Sequence, residues 1–206
     1  MMTTDEYNQI TNGFHHQKSS QTDCFFVCMY NLFHYVFSRT QIPVLKISPD
    51  DIKKAGCWQG DGFYKHPALF QNINIKIESS GYVLKEAAKG DGMNLSRMID
   101  IITDQNCSPL LIRVRAEYFN EQIDRWSSDT SEPIDHCIMV IEIDEKAQMA
   151  VIFDPLEIIL NRKHNSKFKR EIPLAPLIQH WNRSRYNPNW SAWLQRKTGQ
   201  MKLRVE

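Results

Sequence analysis

The sequence predicts an α+β fold, because helical signals fill its first half and strand signals fill its second half. Residues 24–39, CFFVCMYNLFHYVFSR, are apolar on nearly every face of a helix, which predicts a buried helix. Residues 137–143 and 149–154 are two apolar runs separated by the polar turn DEKAQ, which predicts an antiparallel hairpin. We therefore expect an N-terminal helix packed on a C-terminal antiparallel β-sheet.

The first half contains two helix starts. Residues 1–22 are polar and predict an extended lead-in, with Thr22 or Asp23 as the N-cap of the buried helix. A second helix is predicted to begin at Ser48-Pro49-Asp50-Asp51, because a capping serine precedes a proline and two acids. Gly56 is predicted to end this helix.

Glycines between residues 56 and 94 predict loops around short segments. Within them, the alternation of IKIES at 75–79 predicts a strand. Residues 94–105 carry an apolar stripe that predicts a helix. The later segments are, in order, a strand at 110–115, the hairpin, a basic loop-like stretch at 161–171, a short helix at 173–182 and a Trp-rich tail.

The chain has 206 residues, of which 42% are hydrophobic, enough for one sizeable core. No repeat, low-complexity block or linker divides it. We expect a single domain over residues 1–206, with a helical part at about 22–106, a β-rich part at about 108–160, and a C-terminal helix and tail at 172–206.

Composition and charge exclude several classes of function. The 25 basic and 24 acidic residues give a net charge of +1, which argues against nucleic acid as a partner. No apolar run approaches the roughly 18 residues that span a bilayer, and the N-terminus has no signal-peptide pattern. The expectation is a soluble protein without membrane insertion, either cytoplasmic or exported without a cleavable signal peptide.

Five cysteines, with no CxxC pair among them, fit neither a disulfide framework nor a zinc finger. Cys24 stands at the start of the buried helix, where the helix dipole and unpaired amides lower a thiol pKa. Cys28, Cys57, Cys107 and Cys137 show nothing beyond packing. His15-His16 beside the cysteine helix does not complete a metal-ligand set, so we expect no metal and no cofactor.

The predicted hairpin supplies partners for Cys24. If DEKAQ is the turn, residues whose numbers sum to about 290 face each other, which places His136 beside Asp154. A carboxylate orients an imidazole and supports its charged form, and an imidazole facing a thiol forms a thiolate–imidazolium pair. Cys24, His136 and Asp154 therefore predict a nucleophile, its base and the group that orients the base.

Attack by a thiolate on a carbonyl also requires donors for the developing oxyanion. The backbone N–H of Cys24 would supply one donor, and a side-chain amide upstream would supply the second. Gln17 and Gln21 both lie upstream. Gln17 is preferred because it has room to loop back alongside the helix start, although the sequence alone does not decide between the two.

The pattern formed by Gln17, the Asp23-Cys24…Cys28 helix start, Asp135-His136 and Asp154-Pro155 resembles the papain-like clan of cysteine peptidases. Within it, the pattern is most similar to the bacteriocin-processing (double-glycine) peptidases and their stand-alone relatives. The segment 172–181, a short helix with a Trp after the Asp-Pro, resembles the same family. The motifs cover residues 15–40 and 108–182.

The resemblance implies a papain-like fold and a thiol-dependent hydrolase that acts on an amide or peptide bond of a protein or peptide substrate. It also leaves open a glutamine deamidase or an acyltransferase of the effector type, and a catalytically silent binding module of the same shape. The family usually has Gly after the nucleophile, where this chain has Phe25, so we expect less space beside the thiol. The oligomeric state is left open.

Overall fold

The computed structural model describes residues 1–15, 24–56, 66–115, 135–155, 170–184 and 187–197. These residues form six α-helices and one six-stranded antiparallel sheet, an α+β fold as predicted. The helices are α1 (Thr4–Thr11), α2 (Cys24–Thr40), α3 (Pro49–Ala55), α4 (His66–Lys76), α5 (Leu95–Thr103) and α6 (Leu174–Asn182). The strands are β1 (Tyr82–Ala87), β2 (Leu110–Arg115), β3 (Asp135–Asp144), β4 (Met149–Phe153), β5 (Arg170–Pro173) and β6 (Ser191–Arg196). Three short 3₁₀ turns lie at Pro43–Leu45, Glu78–Ser80 and Lys89–Asp91.

The sheet has the strand order β1-β6-β2-β3-β4-β5 and is covered by helices on both faces. Side chains of α1 to α4 pack on one face, and side chains of α5 and α6 pack on the other. The strands alternate accordingly: Leu111 points to the α2 face, and Leu110 and Ile112 point to the α5 face. Strands β1, β2, β3, β4 and β6 therefore each contribute to both cores, and β5 contributes Ile172 to the core on the α5 face.

Helix α2 is the buried helix that the sequence predicts. Eight of its residues are buried, and its apolar side chains form the centre of the larger core together with the facing strands β2, β3 and β4. Burial on this scale fixes the direction of the helix and therefore the position of its first residue, Cys24. Helix α3 also follows the prediction: Ser48 caps it, the Asp51 side chain completes the capping box, and Gly56 ends it.

The prediction of an extended lead-in over residues 1–22 is wrong for its first part, because α1 is helical. The Thr3 side chain accepts a hydrogen bond from the Glu6 amide, and the Glu6 carboxylate accepts one from the Thr3 amide. This T-x-x-E capping box is readable in the sequence. Tyr7 holds the helix against the sheet by donating its hydroxyl to the Ile152 carbonyl, at 3.2 Å.

The predicted strand at 75–79 is also wrong, because α4 continues to Lys76 and a 3₁₀ turn follows. The burial pattern gives the physical reason. Ile73 and Ile77, four residues apart, are fully buried, whereas Ile75 between them is 65% exposed. A strand would place all three side chains on one face, but a helix places only the first and last together.

The division into a helical first half and a β-rich second half is too simple. Strand β1 comes from the predicted helical part and pairs with β6, which comes from the Trp-rich tail. Strand β5 begins within the predicted basic loop. Trp181, Trp190 and Trp193 are buried, so the aromatics of the C-terminal helix and tail that the structure describes pack in the core.

Helices α5 and α6 and strand β2 agree with the predictions, although α5 ends at Thr103 rather than at residue 105. Among the residues that the structure describes, none of the helices is both long and apolar enough to cross a membrane.

The helical assignment of residues 73–77 predicts unequal costs of truncation. Ile73→Ala should lower the free energy of unfolding by about 2–5 kcal/mol, because it opens a cavity in the core. Ile75→Ala, at the exposed position, should change it by less than about 0.5 kcal/mol. Urea denaturation of the two variants measures both values, and an equal loss at the two positions would contradict a helix here.

Candidate functional site

The site lies where the first turn of α2 meets the first residues of β3. Cys24 is the first residue of α2 and is partly exposed. In the described ladder, β3 pairs with β2 from Asp135 onward but with β4 only from Met139 onward. The start of β3 is therefore bordered by one strand, and Cys24 can bond to two successive β3 residues, His136 and Cys137.

His136 and Asp154 are in direct contact, with Nε2 of His136 2.9 Å from a carboxylate oxygen of Asp154. The predicted register is nevertheless wrong. The numbers of paired residues sum to 292 near the site, as for Met139 and Phe153, and not to the predicted 290. A bulge after Val140 raises the sum to 293 in the rest of the hairpin. Continued past Phe153, this register makes His136 and Asp154 diagonal neighbours on one face, still within side-chain reach.

Asp154 has a second partner that the sequence did not predict. Arg170, the first residue of β5, places Nη1 2.7 Å from the other carboxylate oxygen. Asp154 is fully buried, so its charge requires such partners. The sequence did not indicate this contact, because Arg170 stands in a basic stretch that is typical of a loop. Strand β5, which was not predicted, brings Arg170 to the site.

Cys24 has the environment of a thiolate. Its pKa lies well below the ordinary thiol value, and the largest cause is a hydrogen bond from the Cys137 thiol. A hydrogen bond from His136 and the positive charge of that ring lower the pKa further, while burial opposes them. Because Nε2 of His136 is committed to Asp154, Nδ1 is the ring nitrogen that remains for the sulfur.

His136 carries the complementary charge. The ring is only 5% exposed, and burial by itself lowers its pKa. The Asp154 carboxylate and the Cys24 sulfur outweigh burial and raise the pKa to about 10. An imidazole that retains its proton beside a thiol that has lost one is a thiolate–imidazolium pair, which can attack an electrophilic carbon and then protonate a leaving group.

Two further cysteines adjoin the site. Cys28 is fully buried one turn along α2, as expected for a core residue, and its sulfur lies 3.4 Å from the Cys137 carbonyl oxygen. Burial raises the pKa of both the Cys28 and Cys137 thiols, and the negative charge of Cys24 raises both further. The sequence predicts only a packing role for Cys137, because no spacing pattern marks it as a neighbour of Cys24.

Phe25, the residue after Cys24, is buried. Its ring is 4% exposed and packs against Trp190 with 5.8 Å between ring centroids. The Arg113 guanidinium lies over both rings, 5.5 Å from Phe25 and 4.8 Å from Trp190. Phe25 therefore belongs to the core, and the smaller space beside the thiol stays a prediction.

The remaining predicted groups lie outside the described part of the chain. This holds for Gln17 and Gln21, for the candidate caps Thr22 and Asp23, and for Cys57. Of the two expected oxyanion donors, the one among the described residues is the backbone N–H of Cys24 at the start of α2, where an amide has no acceptor within its own helix. Within the described ranges, no group of three or more His, Cys, Asp or Glu side chains could hold a metal ion.

The sequence matches no model of a known protein family, and no curated protein matches it at a significant level. The chemistry of the three side chains is therefore what indicates a function.

The contact between His136 and Asp154 predicts how the pKa of His136 responds to substitution. Asp154→Asn should lower the pKa of His136 from about 10, because the carboxylate charge is a main cause of the increase. Arg170→Met removes a cation from the same carboxylate and should not lower it. Proton NMR of the imidazole resonances measures both, with His136→Gln assigning the signal. An unchanged His136 titration in Asp154→Asn would contradict the coupling.

The same pKa gives a dependence of stability on pH. Since the pKa of His136 in the folded protein exceeds the ordinary value of about 6.5, its protonation stabilises the fold. This contribution is complete below pH of about 6.5 and is lost as the pH rises through about 10.

Proposed function

We propose that this protein is a papain-like cysteine hydrolase that cleaves an amide bond, in the first place a peptide bond, of a protein or peptide substrate. The observation that carries the proposal is the continuous hydrogen-bonded chain from Cys24 through His136 to Asp154, with a thiol pKa below and an imidazole pKa above their ordinary values. Such opposed shifts are typical of active sites.

Each group has a distinct role in the proposed reaction. The Cys24 thiolate attacks the carbonyl carbon of the substrate, and the amide at the start of α2 stabilises the oxyanion. The His136 imidazolium gives its proton to the departing amine, which leaves a thioester on Cys24. His136, now neutral, takes a proton from water as the water attacks the thioester, and the carboxylic acid departs.

Asp154 and Arg170 act behind the reacting atoms. Asp154 holds the imidazole through Nε2 and favours its charged form, as a triad carboxylate does. Arg170 holds the second carboxylate oxygen and so fixes the orientation of the first. In this proposal, Gln17 remains the preferred second oxyanion donor, by resemblance to the family.

The fold supports the papain-like assignment. The nucleophile begins a buried helix, the histidine lies near the start of a central antiparallel strand, and the acid follows the next strand. These elements occur in the order Cys, His, Asp that the resemblance requires. A purely structural thiol would gain nothing from a charged imidazole, whereas a nucleophile requires one.

Removal of the nucleophile tests the proposal. Cys24→Ala should abolish turnover of a proteome-derived peptide mixture and of intact proteins while the circular dichroism spectrum stays unchanged, because the sulfur that forms the thioester in the proposed reaction is missing. Mass spectrometry reads both new peptide termini and conversion of glutamine to glutamate, which separates peptide cleavage from deamidation by the same mechanism.

Cys107→Ala is the matched control. Cys107 is also partly exposed, but its thiol bonds to Asp104, and its pKa is raised to about 12, chiefly by burial and then by the charge of Asp104. This variant should keep full turnover. Turnover retained in Cys24→Ala would exclude the mechanism.

A further inference from the structure

Three of the five cysteines meet at the proposed site, although two of them have no step in the reaction. Cys28 and Cys137 lie in the same buried core, Cys24 packs against that core, and the Cys28 sulfur lies 3.4 Å from the backbone carbonyl oxygen of Cys137. The Cys24 sulfur also accepts a hydrogen bond from the Cys137 thiol. Two sulfurs in contact, one of them a thiolate, form the arrangement that precedes a disulfide. The geometry of the cysteines limits which of them can form a disulfide.

Helical geometry excludes the pair within α2. Cys24 and Cys28 are four residues apart, so their Cβ atoms lie about 5–6 Å from each other. A disulfide requires a Cβ separation of about 3.5–4.5 Å, and a well-packed helix cannot supply the difference. Cys137 comes from a separate element, β3, and lies in the core against which Cys24 packs, so helical spacing does not limit its distance from Cys24.

We propose that Cys24 and Cys137 form an oxidative modification site, at which a peroxide converts the nucleophile into a reversible Cys24–Cys137 disulfide. Cys137 is the resolving cysteine of this site. The inference rests on the proposed function, since a disulfide at Cys24 stops hydrolysis, and it assigns to Cys137 a role that packing alone does not require.

The proposed oxidation proceeds in two steps. The Cys24 thiolate attacks one peroxide oxygen, so an S–O bond forms, the O–O bond breaks, and the departing hydroxide takes a proton from His136 to give water. The Cys24 sulfur is oxidised to a sulfenic acid and the peroxide is reduced. The Cys137 sulfur then attacks the Cys24 sulfur, so an S–S bond forms, the S–O bond breaks, and the Cys137 proton leaves with the hydroxyl group as water.

Exposure sets the order of these steps. Cys24 is partly exposed, whereas Cys137 is buried, so a peroxide reaches Cys24 first. Burial is the largest cause of the raised pKa of Cys137, and the Cys24 thiolate is the next. Oxidation of Cys24 to the uncharged sulfenic acid removes this second cause, so the resolving thiol becomes easier to deprotonate only after the first step.

The test treats the reduced full-length protein with an equimolar amount of hydrogen peroxide, then digests it without reductant. Trypsin releases Cys24 and Cys28 together in peptide 19–39 and Cys137 in peptide 126–146. We expect these two peptides to be cross-linked, with fragmentation placing the bond on Cys24. Dithiothreitol should restore iodoacetamide labelling of Cys24.

Two variants give the matched comparison. Cys28→Ala should retain the cross-link. Cys137→Ser keeps a hydroxyl donor beside Cys24 but should lose the cross-link, accumulate a dimedone-reactive sulfenic acid, and proceed to sulfinic acid that dithiothreitol does not reverse. Fragmentation of the wild-type cross-link gives the same assignment if either variant fails to fold.

The outcomes separate the two proposals. If wild-type Cys24 accumulates dimedone-reactive sulfenic acid as Cys137→Ser does, with no cross-link, Cys137 is not a resolving cysteine and the hydrolase proposal stands. If Cys24 reacts with neither peroxide nor iodoacetamide in the reduced protein, the thiolate is absent and both proposals fail. A cross-link on Cys28 would overturn the assignment of the pair.

Discussion

The buried carboxylate of Asp154 is the constraint on which the site depends. A carboxylate removed from water costs several kcal/mol unless it is paired and hydrogen-bonded. Asp154 meets this requirement with one oxygen on His136 and the other on Arg170. The pairing joins β3, the end of β4 and the start of β5, so the strands must keep their alignment for the charge to remain paired.

The buried Asp154 charge also influences the partly exposed Cys24 sulfur, through His136. Asp154 stabilises a positive His136, and the positive ring in turn stabilises a negative sulfur at Cys24. The sulfur remains partly accessible because it stands at the first residue of α2, whereas eight later residues of the helix are buried. One packed helix thus fixes the position of the proposed nucleophile, and one buried acid sets the charges around it. Stability and reactivity share the same contacts.

Part of this arrangement was predictable from the sequence because it depends on local patterns. The sequence shows an apolar helix with Cys24 at its start and two apolar strands joined by a polar turn. The strands were enough to predict the His136–Asp154 contact, even though the predicted register was wrong by two residues. Arg170 and Cys137 were not predictable in their roles, since they depend on long-range pairing. Arg170 reaches the site only through a strand hidden in a basic stretch. Cys137 was hidden because neighbouring residues of a strand point to opposite faces, so no sequence pattern places both His136 and Cys137 beside Cys24.

The central claim is that Cys24 is a thiolate at neutral pH, and its alkylation kinetics test this most directly. Iodoacetamide reacts with thiolates and not with thiols, so labelling rates of Cys24 and Cys107 within one sample compare two partly exposed cysteines. We predict that Cys24 reacts much faster than Cys107 and that Asp154→Asn slows Cys24 alone. Equal rates for Cys24 and Cys107 in the wild-type protein would contradict the account.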